Sequence, residues 1–401
     1  MAATKGKLLY KVYRALSYGL SPLLYLHLRW RVLRGLEHPF RWPERLGRPS
    51  HARPPGPLLW FHAVSLGEGL ATIPIIKQCI QRRPDLTILM TTTTYSAFQV
   101  VKNCLPTGVI YQIAMALLNA RMSAMSFKRW STPVFLPLVS FMLSKFSLIL
   151  PLSNLQAIRF QLLQASPPTI SFAGDLKFAV EDVGMSEEEI KKVEDLRAQL
   201  AQRQVWMASS IHRGEEEVIL EVHKMLLEAH PNLVTVIVPR YPQHGKEIAL
   251  EMKKEGQNVA LRSQGENITS GTNVYVVDTL GELRYLYGIT SIAVVGGSFL
   301  PGFAGHNISE AAAAGCAVLT GPYIGHFSSM VVKMQQFNPM SVLQVHGKLE
   351  LEEALRNLLK DDRLLEAHRM AAKHAQQALA SGIIVGTWNS LNSIVLRSAF
   401  G

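Results

Sequence analysis

VVGGSFLPGFAGHNISEAAAAG, residues 294–315, is the stretch on which the reading of this chain turns. The apolar run Ile292–Val295 reads as a buried strand. Gly296, Gly297, Gly302 and Gly305 then make a loop with few bulky side chains. Asn307 opens an alanine-rich helix, with Glu310 three residues on. A strand, a glycine loop and a helix N-terminus make an anion-binding corner, because free backbone N–H groups and the helix dipole face the ligand. The loop is not GxGxxG, which argues against an ordinary dinucleotide domain. The alternative is a buried βα turn that binds nothing.

Working outward, the 401 residues are enough for two domains, each with its own core. The net charge of +11, from 41 basic against 30 acidic side chains, points to an anionic partner. No Arg/Lys run interleaved with aromatics marks a nucleic-acid surface, so a phosphorylated substrate or an anionic membrane is favoured. Cys79, Cys104 and Cys316 are far apart and odd in number, which excludes a disulfide framework or a CxxC knuckle and suits a reducing compartment.

Residues 1–36 contain no Asp or Glu but carry Lys5, Lys7, Lys11, Arg14, Arg29, Arg31 and Arg34. The longest uncharged stretch there, Ala15–Leu28, is too short to span a bilayer. The segment reads as a basic amphipathic helix on a membrane surface, an organelle transit peptide, or a helix packed on the first domain. Thr132–Leu152 is apolar but broken by Pro133, Pro137, Lys145 and Pro151. It reads as a short hydrophobic helix against the core or dipping into lipid.

Strand and helix signals alternate along the rest. Strands are expected at Pro57–His62, Leu86–Thr92, Val109–Tyr111 and Met115–Leu118, with helices from Ser65 and from Ser96 to about Asn103. Glu187–Arg203 is a charged helix and a natural divider, with Ser186 and Glu189 spaced as a capping box. A second series follows: strands at Val205–Ala208, Val234–Val238, Val274–Val277, Ile292–Val295 and Cys316–Leu319, and helices at Glu215–Ala229, Thr279–Tyr287 and Leu349–Leu379, the last interrupted near Asp361. Such alternation implies parallel sheets covered by helices, and two Rossmann-like halves in series imply a ligand cleft.

Several residues could carry chemistry. Glu68 in HAVSLGEG either caps its helix with Ser65 or acts as a general base, taking a proton from an attacking hydroxyl. Lys177 could hold a phosphate or a developing negative charge, or simply be solvated. Arg240, directly after a strand and Pro239, suits a phosphate contact. Ser209, Ser210 and Gly214 form another strand-to-helix corner, open to phosphate binding or plain capping. Thr279–Glu282 and Asn307–Glu310 have cap spacing; Glu310 beside a phosphate would repel it and should instead cap or meet sugar hydroxyls. His306 could donate to an oxyanion or be a structural loop residue. No D-x-D, GxSxG, HExxH or Walker A pattern is present.

WFHAVSLGEG, VPRYPQHG, VVDTLGEL and VGGSFLPGFAGHNISEAAAAG, in this order, resemble the motifs of the Kdo (3-deoxy-D-manno-octulosonic acid) transferases of lipid A assembly, plant-type members most of all. The resemblance runs from about Leu9 to about Leu396. It implies an α/β GT-B fold, two Rossmann-like domains facing a cleft. It implies an inverting transfer of Kdo from CMP-Kdo to a lipid A precursor at a membrane surface, with no metal and no further cofactor. Glu68 matches the catalytic base, and Lys177, in GDLKF, the group that stabilises the transition state. The CMP contacts carry over to Pro239 and Arg240, to Leu280, Gly281 and Glu282, and to Asn307, Ile308, Ser309 and Glu310. Bacterial relatives sit on the inner membrane and plant members are associated with mitochondria.

The expected organisation is a basic segment 1–40, an acceptor-binding domain 41–185, a linker helix 186–203 and a CMP-sugar domain 204–401. One departure stands out. The family's ELWPN segment is missing where Val109–Gln112 runs into Ile113–Ser123, a gap of about one βα unit, ~30 residues or more. Its loss would remove a strand, a helix and a second functional Glu, exposing unpaired backbone and apolar faces. Two other readings therefore stay open: an impaired splice form that still binds CMP and membrane, and a different GT-B enzyme using a UDP donor.

Overall fold

The computed structural model of the chain describes residues 2–46, 58–63, 66–92, 116–179, 187–325 and 327–396. It divides into two units, Met1–Val180 with Ala380–Gly401, and Glu181–Leu379.

The second unit is built on a seven-stranded sheet, all of its pairings parallel, in the order β11-β10-β9-β5-β6-β8-β7. Its strands are β5 (Gln204–Ile211), β6 (Leu233–Pro239), β7 (Val259–Leu261), β8 (Val274–Val276), β9 (Ile292–Val295), β10 (Ala317–Thr320) and β11 (Leu343–Gln344). Every residue of β6, β8, β9 and β10 is buried. That is why they read as unbroken apolar runs: helices cover both faces of a parallel sheet. Trp206, Ile219, Leu226, Ile237, Val294 and Leu355 belong to one core cluster. The helix Glu215–Ala229 carries three glutamates in its first turn, and Gly245–Lys254 carries two lysines in its last, each charge placed to suit the helix dipole. The chain winds from β5 outward through β6, then returns to add β9 on the other side of β5. The C-terminal ends of β5 and β9 thus flank the topological switch point, where open α/β sheets bind ligands.

A buried histidine ties this sheet to its helix. His223, on Glu215–Ala229, pairs through Nδ1 with Thr235 Oγ1 of β6 at 2.7 Å and through Nε2 with Gln257 Oε1 at 3.1 Å. Burial lowers its pKa from 6.5 to about 4, more than the Gln257 bond raises it. The folded state therefore holds His223 neutral while the unfolded chain protonates near pH 6.5, so stability is intact above that pH and is lost as pH falls toward 4. Its share of the loss is about 1.4 kcal/mol per pH unit. Unfolding free energies measured from pH 7 to pH 4.5 should fall less steeply by that amount in His223→Gln than in the parent chain.

In the first unit β1 (Leu58–Ala63) pairs in parallel with β2 (Thr87–Thr92), and β3 (Ala116–Ala120) with β4 (Leu148–Pro151). Among the described residues these remain two separate two-stranded sheets. The expected strand Val109–Tyr111, the helix from Ser96 and the Ser65 cap lie outside the described residues, as does the Ser186–Glu189 box. The helix Leu66–Arg82 buries Ile73, Ile75, Ile76 and Cys79. Thr132–Leu152 differs from its reading: only Leu136–Leu143 is helical, and Leu148–Pro151 is a fully buried strand. A short apolar run fits a buried strand as well as a helix.

The first residues form two helices, Ala2–Gly19 and Ser21–Leu33. The first docks on Leu136–Leu143, with Tyr10 and Phe141 ring centroids 5.7 Å apart. An added Cβ at Gly6 would stand 2.4 Å from the Pro137 carbonyl oxygen, so the close approach requires glycine. Leu8, Tyr13, Leu16, Leu23 and Leu26 are exposed.

At the other end, the break expected at Asp361 is present: its carboxylate accepts the N–H groups of Arg363 and Leu364, opening a new helix. That helix, Asp362–Ser390, continues as a π turn through Leu396. It is long and apolar enough to cross a membrane. Its last part instead packs within the first unit: Gly174 lies against Ile383, Gly386 against Ala173, and the Ser171 and Ser390 hydroxyls are 3.2 Å apart. Residues 380–401 thus belong with the N-terminal unit rather than closing the expected domain 204–401.

Candidate functional site

The family resemblance assigns roles to eleven residues. Glu68 and Lys177 lie in the first unit, the other nine in the second.

Glu68 occupies the first turn of Leu66–Arg82 and is half-buried. Its charge reaches His62 near the end of β1, whose Nδ1 is 2.8 Å from Thr91 Oγ1. Burial and the Arg45 guanidinium lower the His62 pKa, and the Glu68 charge opposes them. Lys177 lies in the 3-10 turn Leu176–Phe178, which packs against the Glu68 helix. That turn is fixed by a small network. Asp175 Oδ1 accepts the Lys177 N–H at 2.9 Å and the Asn119 side-chain amide at 2.8 Å, while Asn119 Oδ1 accepts the Leu176 N–H at 2.8 Å. Asn119, at φ 54°, is a residue the sequence analysis does not single out; Asn is one of the few non-glycine residues that adopt this conformation readily.

In the second unit the candidates follow the C-terminal ends of β6, β8 and β9, all on one edge of the sheet. Arg240 comes directly after β6. Its N–H donates to the Ile211 carbonyl at 2.9 Å, its side chain is exposed, and its guanidinium carbon lies 5.6 Å from the Tyr241 ring centroid. After β8, Leu280 is exposed and Gly281 sits at φ 85°. Glu282 is gripped by Arg262, with Nε and Nη2 each 3.2 Å from one carboxylate oxygen, and accepts a short bond from Thr279 Oγ1. Burial pushes its pKa up, but the Arg262, Thr279 and Tyr285 bonds outweigh burial and hold the carboxyl below its usual value. The helix expected from Thr279 begins only at Leu283, so Thr279–Glu282 is a side-chain pair rather than a capping box.

Asp278, in the third motif, meets the second motif at Gly245. Asp278 accepts the Ser263 N–H at 2.9 Å and its hydroxyl at 2.6 Å. An added Cβ at Gly245 would lie 2.2 Å from Asp278 Cβ. The motifs around Gly245 and Asp278 therefore lock together through a missing side chain. Gly245→Ala should destabilise the chain by about 2 kcal/mol or more, read as a lowered urea midpoint at unchanged m-value.

The glycine corner is built differently from its sequence reading. The fully buried Glu215 carboxylate fills it from inside. Oε2 accepts the N–H groups of Gly297 at 2.7 Å and His212 at 2.9 Å, and Oε1 those of Ser298 and Phe299, each at 2.9 Å. The N–H groups expected to meet a ligand anion already serve an internal one. The alanine-rich helix is also short, Ser309–Ala313, so little dipole stands behind it. Asn307 Oδ1 accepts the Ser309 N–H at 3.1 Å and its hydroxyl at 2.7 Å. Glu310 is pushed up in pKa by burial, with Arg284 opposing. Ser209 is fully buried, bonded to Tyr287 Oη at 2.9 Å, so its hydroxyl is structural rather than phosphate-binding. Glu215 escaped the sequence reading because an acidic first turn is ordinary at a helix start.

The same corner holds a pair of imidazoles. The β5–β6 register shifts between Ser209 and Ile211, with Ser210 at φ 57°. Just beyond that bulge His212 Nε2 lies 2.7 Å from His306 Nε2, the rings within 6° of parallel. Phe303 covers His212, with centroids 4.4 Å apart.

The family model described as 3-deoxy-D-manno-octulosonic-acid transferase (kdotransferase) matches residues 40–114 and 111–180, in two pieces. The chain is 55% identical to a probable 3-deoxy-D-manno-octulosonic acid transferase, mitochondrial, of Arabidopsis thaliana, covering 98% of this chain and 97% of that one. The 434 aligned positions take in 98% of 401 residues, so about 40 positions of the alignment have no counterpart here. It is 30% identical to the 3-deoxy-D-manno-octulosonic acid transferase of Haemophilus influenzae, over 80% of this chain and 83% of that one. A solved glycosyltransferase of Rickettsia africae, 13% identical, superposes with a TM-score of 0.53 over 85% of this chain and 99% of that one, a likeness of fold alone. The fold is of the expected α/β GT-B class, and the chain belongs to the 3-deoxy-D-manno-octulosonic acid (Kdo) transferase family of glycosyltransferases.

Proposed function

We propose that this Kdo transferase takes Kdo from CMP-Kdo and delivers it, with inversion and without a metal, to a lipid A precursor. The observation that carries the reading is the 55% identity over nearly the whole length of a Kdo transferase, with the candidate residues at strand ends where an α/β sheet binds ligands. Glu68 acts as general base on the acceptor hydroxyl. The freed oxygen attacks the anomeric carbon of Kdo while the bond to the cytidylate phosphate breaks. Lys177, its turn fixed by Asp175 and Asn119, stabilises the negative charge that develops.

In the donor domain Pro239 and Arg240 meet the phosphate, and Leu280, Gly281 and Glu282 the nucleoside. Leu280 presents apolar surface to the base, and Arg262 pre-orients the Glu282 carboxylate. Asn307, Ile308, Ser309 and Glu310 complete the CMP contacts, with Glu310 toward the sugar hydroxyls. The exposed leucines and tyrosines of Ala2–Leu33, among six basic residues, suit an anionic membrane surface. A mitochondrial location follows the Arabidopsis relative's name. Domain roles are acceptor binding for 41–185 and CMP-sugar binding for 204–379, with 186–203 as linker.

A second reading has an observation in its favour. The two-piece family match meeting at 111–114, the ~40 unmatched positions and the two separate small sheets support an N-terminal domain lacking about one βα unit. Such a form would bind CMP through its second unit and transfer poorly. Calorimetry with CMP and UDP, in the presence of EDTA, tests the donor assignment. CMP should bind at least tenfold more tightly than UDP; preference for UDP would overturn it.

A further inference from the structure

We infer that His212 and His306, with Arg240 beside them, form the anion-sensing element of donor binding: the imidazole pair takes up one proton when the cytidylate phosphate arrives at the β5–β9 switch point. The inference rests on the CMP-sugar reading above and extends it to two residues outside the CMP contacts.

Both rings stand at the C-terminal ends of the two strands that flank the switch point, one after β5 and one in the loop after β9. Since Glu215 occupies the backbone N–H groups of Gly297, Ser298 and Phe299, a phosphate here cannot use those three donors, and the two imidazoles stand beside them. The pair is also held rigidly. A Cβ at Gly297 would stand 2.7 Å from His306 Cδ2 and 3.4 Å from His212 Cδ2, so the bare glycine forms a floor under both rings. Phe303 packs on His212, and Tyr241 meets it edge-on with centroids 5.9 Å apart. Glu215 holds the His212 backbone N–H.

Arg240 and His244, after β6, face the pair. Glu215, under it, is committed to four N–H groups, and the neighbouring Arg213 is paired with Glu247. Burial, the His212 ring and Arg240 lower the His306 pKa to about 4, and burial with Arg240 and His244 lowers that of His212 against the pull of Glu215. Among the described residues the pair has no free counter-charge beside it, and this cation-rich pocket keeps it neutral, with one Nε2–H donating to the other Nε2. A bound phosphate supplies the missing negative charge and raises proton affinity. The proton comes from solvent, the Nε2–Nε2 bond opens, and two N–H donors face the phosphate oxygens.

The test is a pH titration of the full chain labelled with 15N-histidine, followed by NMR with and without saturating CMP, and assigned with His306→Gln and His212→Gln. The pair's midpoint should rise by about one unit or more when CMP binds. As pH falls through the two midpoints, CMP affinity should gain up to about tenfold more in the parent chain than in either variant for each unit of that rise. The comparison at each pH removes CMP's own phosphate ionisation near pH 6. An unchanged midpoint with CMP bound overturns the inference and leaves the donor assignment standing; equal pH dependence in folded variants does the same. If CMP does not bind at all, the donor assignment fails and this inference with it. Should both variants fail to fold, the parent titration alone decides.

Discussion

Glu68→Gln should cut Kdo transfer by about a hundredfold or more while leaving CMP affinity within about twofold. The amide keeps the size of the carboxylate and its place in the first turn of Leu66–Arg82, but it cannot take a proton from the acceptor hydroxyl. The nine proposed CMP contacts belong to the other unit, so a loss confined to turnover separates base chemistry from donor binding. The readout is kcat for transfer beside calorimetry for CMP. Transfer at near the parental rate would remove Glu68 from the mechanism. A joint loss of transfer and of the folded state would point to the helix instead, and thermal unfolding of the variant detects that.

The second large effect falls on Glu215→Gln. Each carboxylate oxygen accepts two backbone N–H groups, from Gly297 and His212 on one side and from Ser298 and Phe299 on the other. Whichever oxygen becomes the amide NH2, two buried N–H groups lose their acceptor and face a donor. At about 1–3 kcal/mol for each orphaned buried group, the variant should lose about 3 kcal/mol or more. Chemical denaturation measures it; a change within about 0.5 kcal/mol would mean that the corner does not depend on that charge. Because the same carboxylate holds the His212 backbone, CMP affinity should weaken in whatever fraction remains folded.

The second unit was largely legible in sequence because burial on both faces leaves a plain signal. Leu233–Pro239 and Ile292–Val295 are continuous apolar runs, and a parallel sheet is the architecture that buries such runs completely. A strand end also located Arg240 on the edge of the sheet at which open α/β folds bind ligands, whereas Glu282 came from the family motif. The glycine corner misled for a physical reason. Sequence lists the N–H groups that a loop can offer, but not which internal acceptor reaches them first, and Glu215 is 82 residues from Gly297. The imidazole pair was hidden in the same way, since His212 and His306 lie 94 residues apart and meet only through the β5 bulge.

The first unit was less legible. Leu148–Pro151 looked like the end of a hydrophobic helix because four apolar residues carry no period of their own. Asn119 could not be linked to Lys177 without the fold that brings residues 56 apart to one 3-10 turn. The C-terminal boundary was missed because Asp362–Ser390 continues in helical pattern through Leu379, where the division between the two units falls.

The most direct test of the account is an incubation of the full chain with CMP-Kdo and a tetra-acylated lipid A precursor, with the acceptor followed by mass spectrometry. The acceptor should emerge heavier by whole Kdo residues, with one CMP released for each. An unchanged acceptor beside bound CMP-Kdo would contradict it and leave a binding-only form of the transferase.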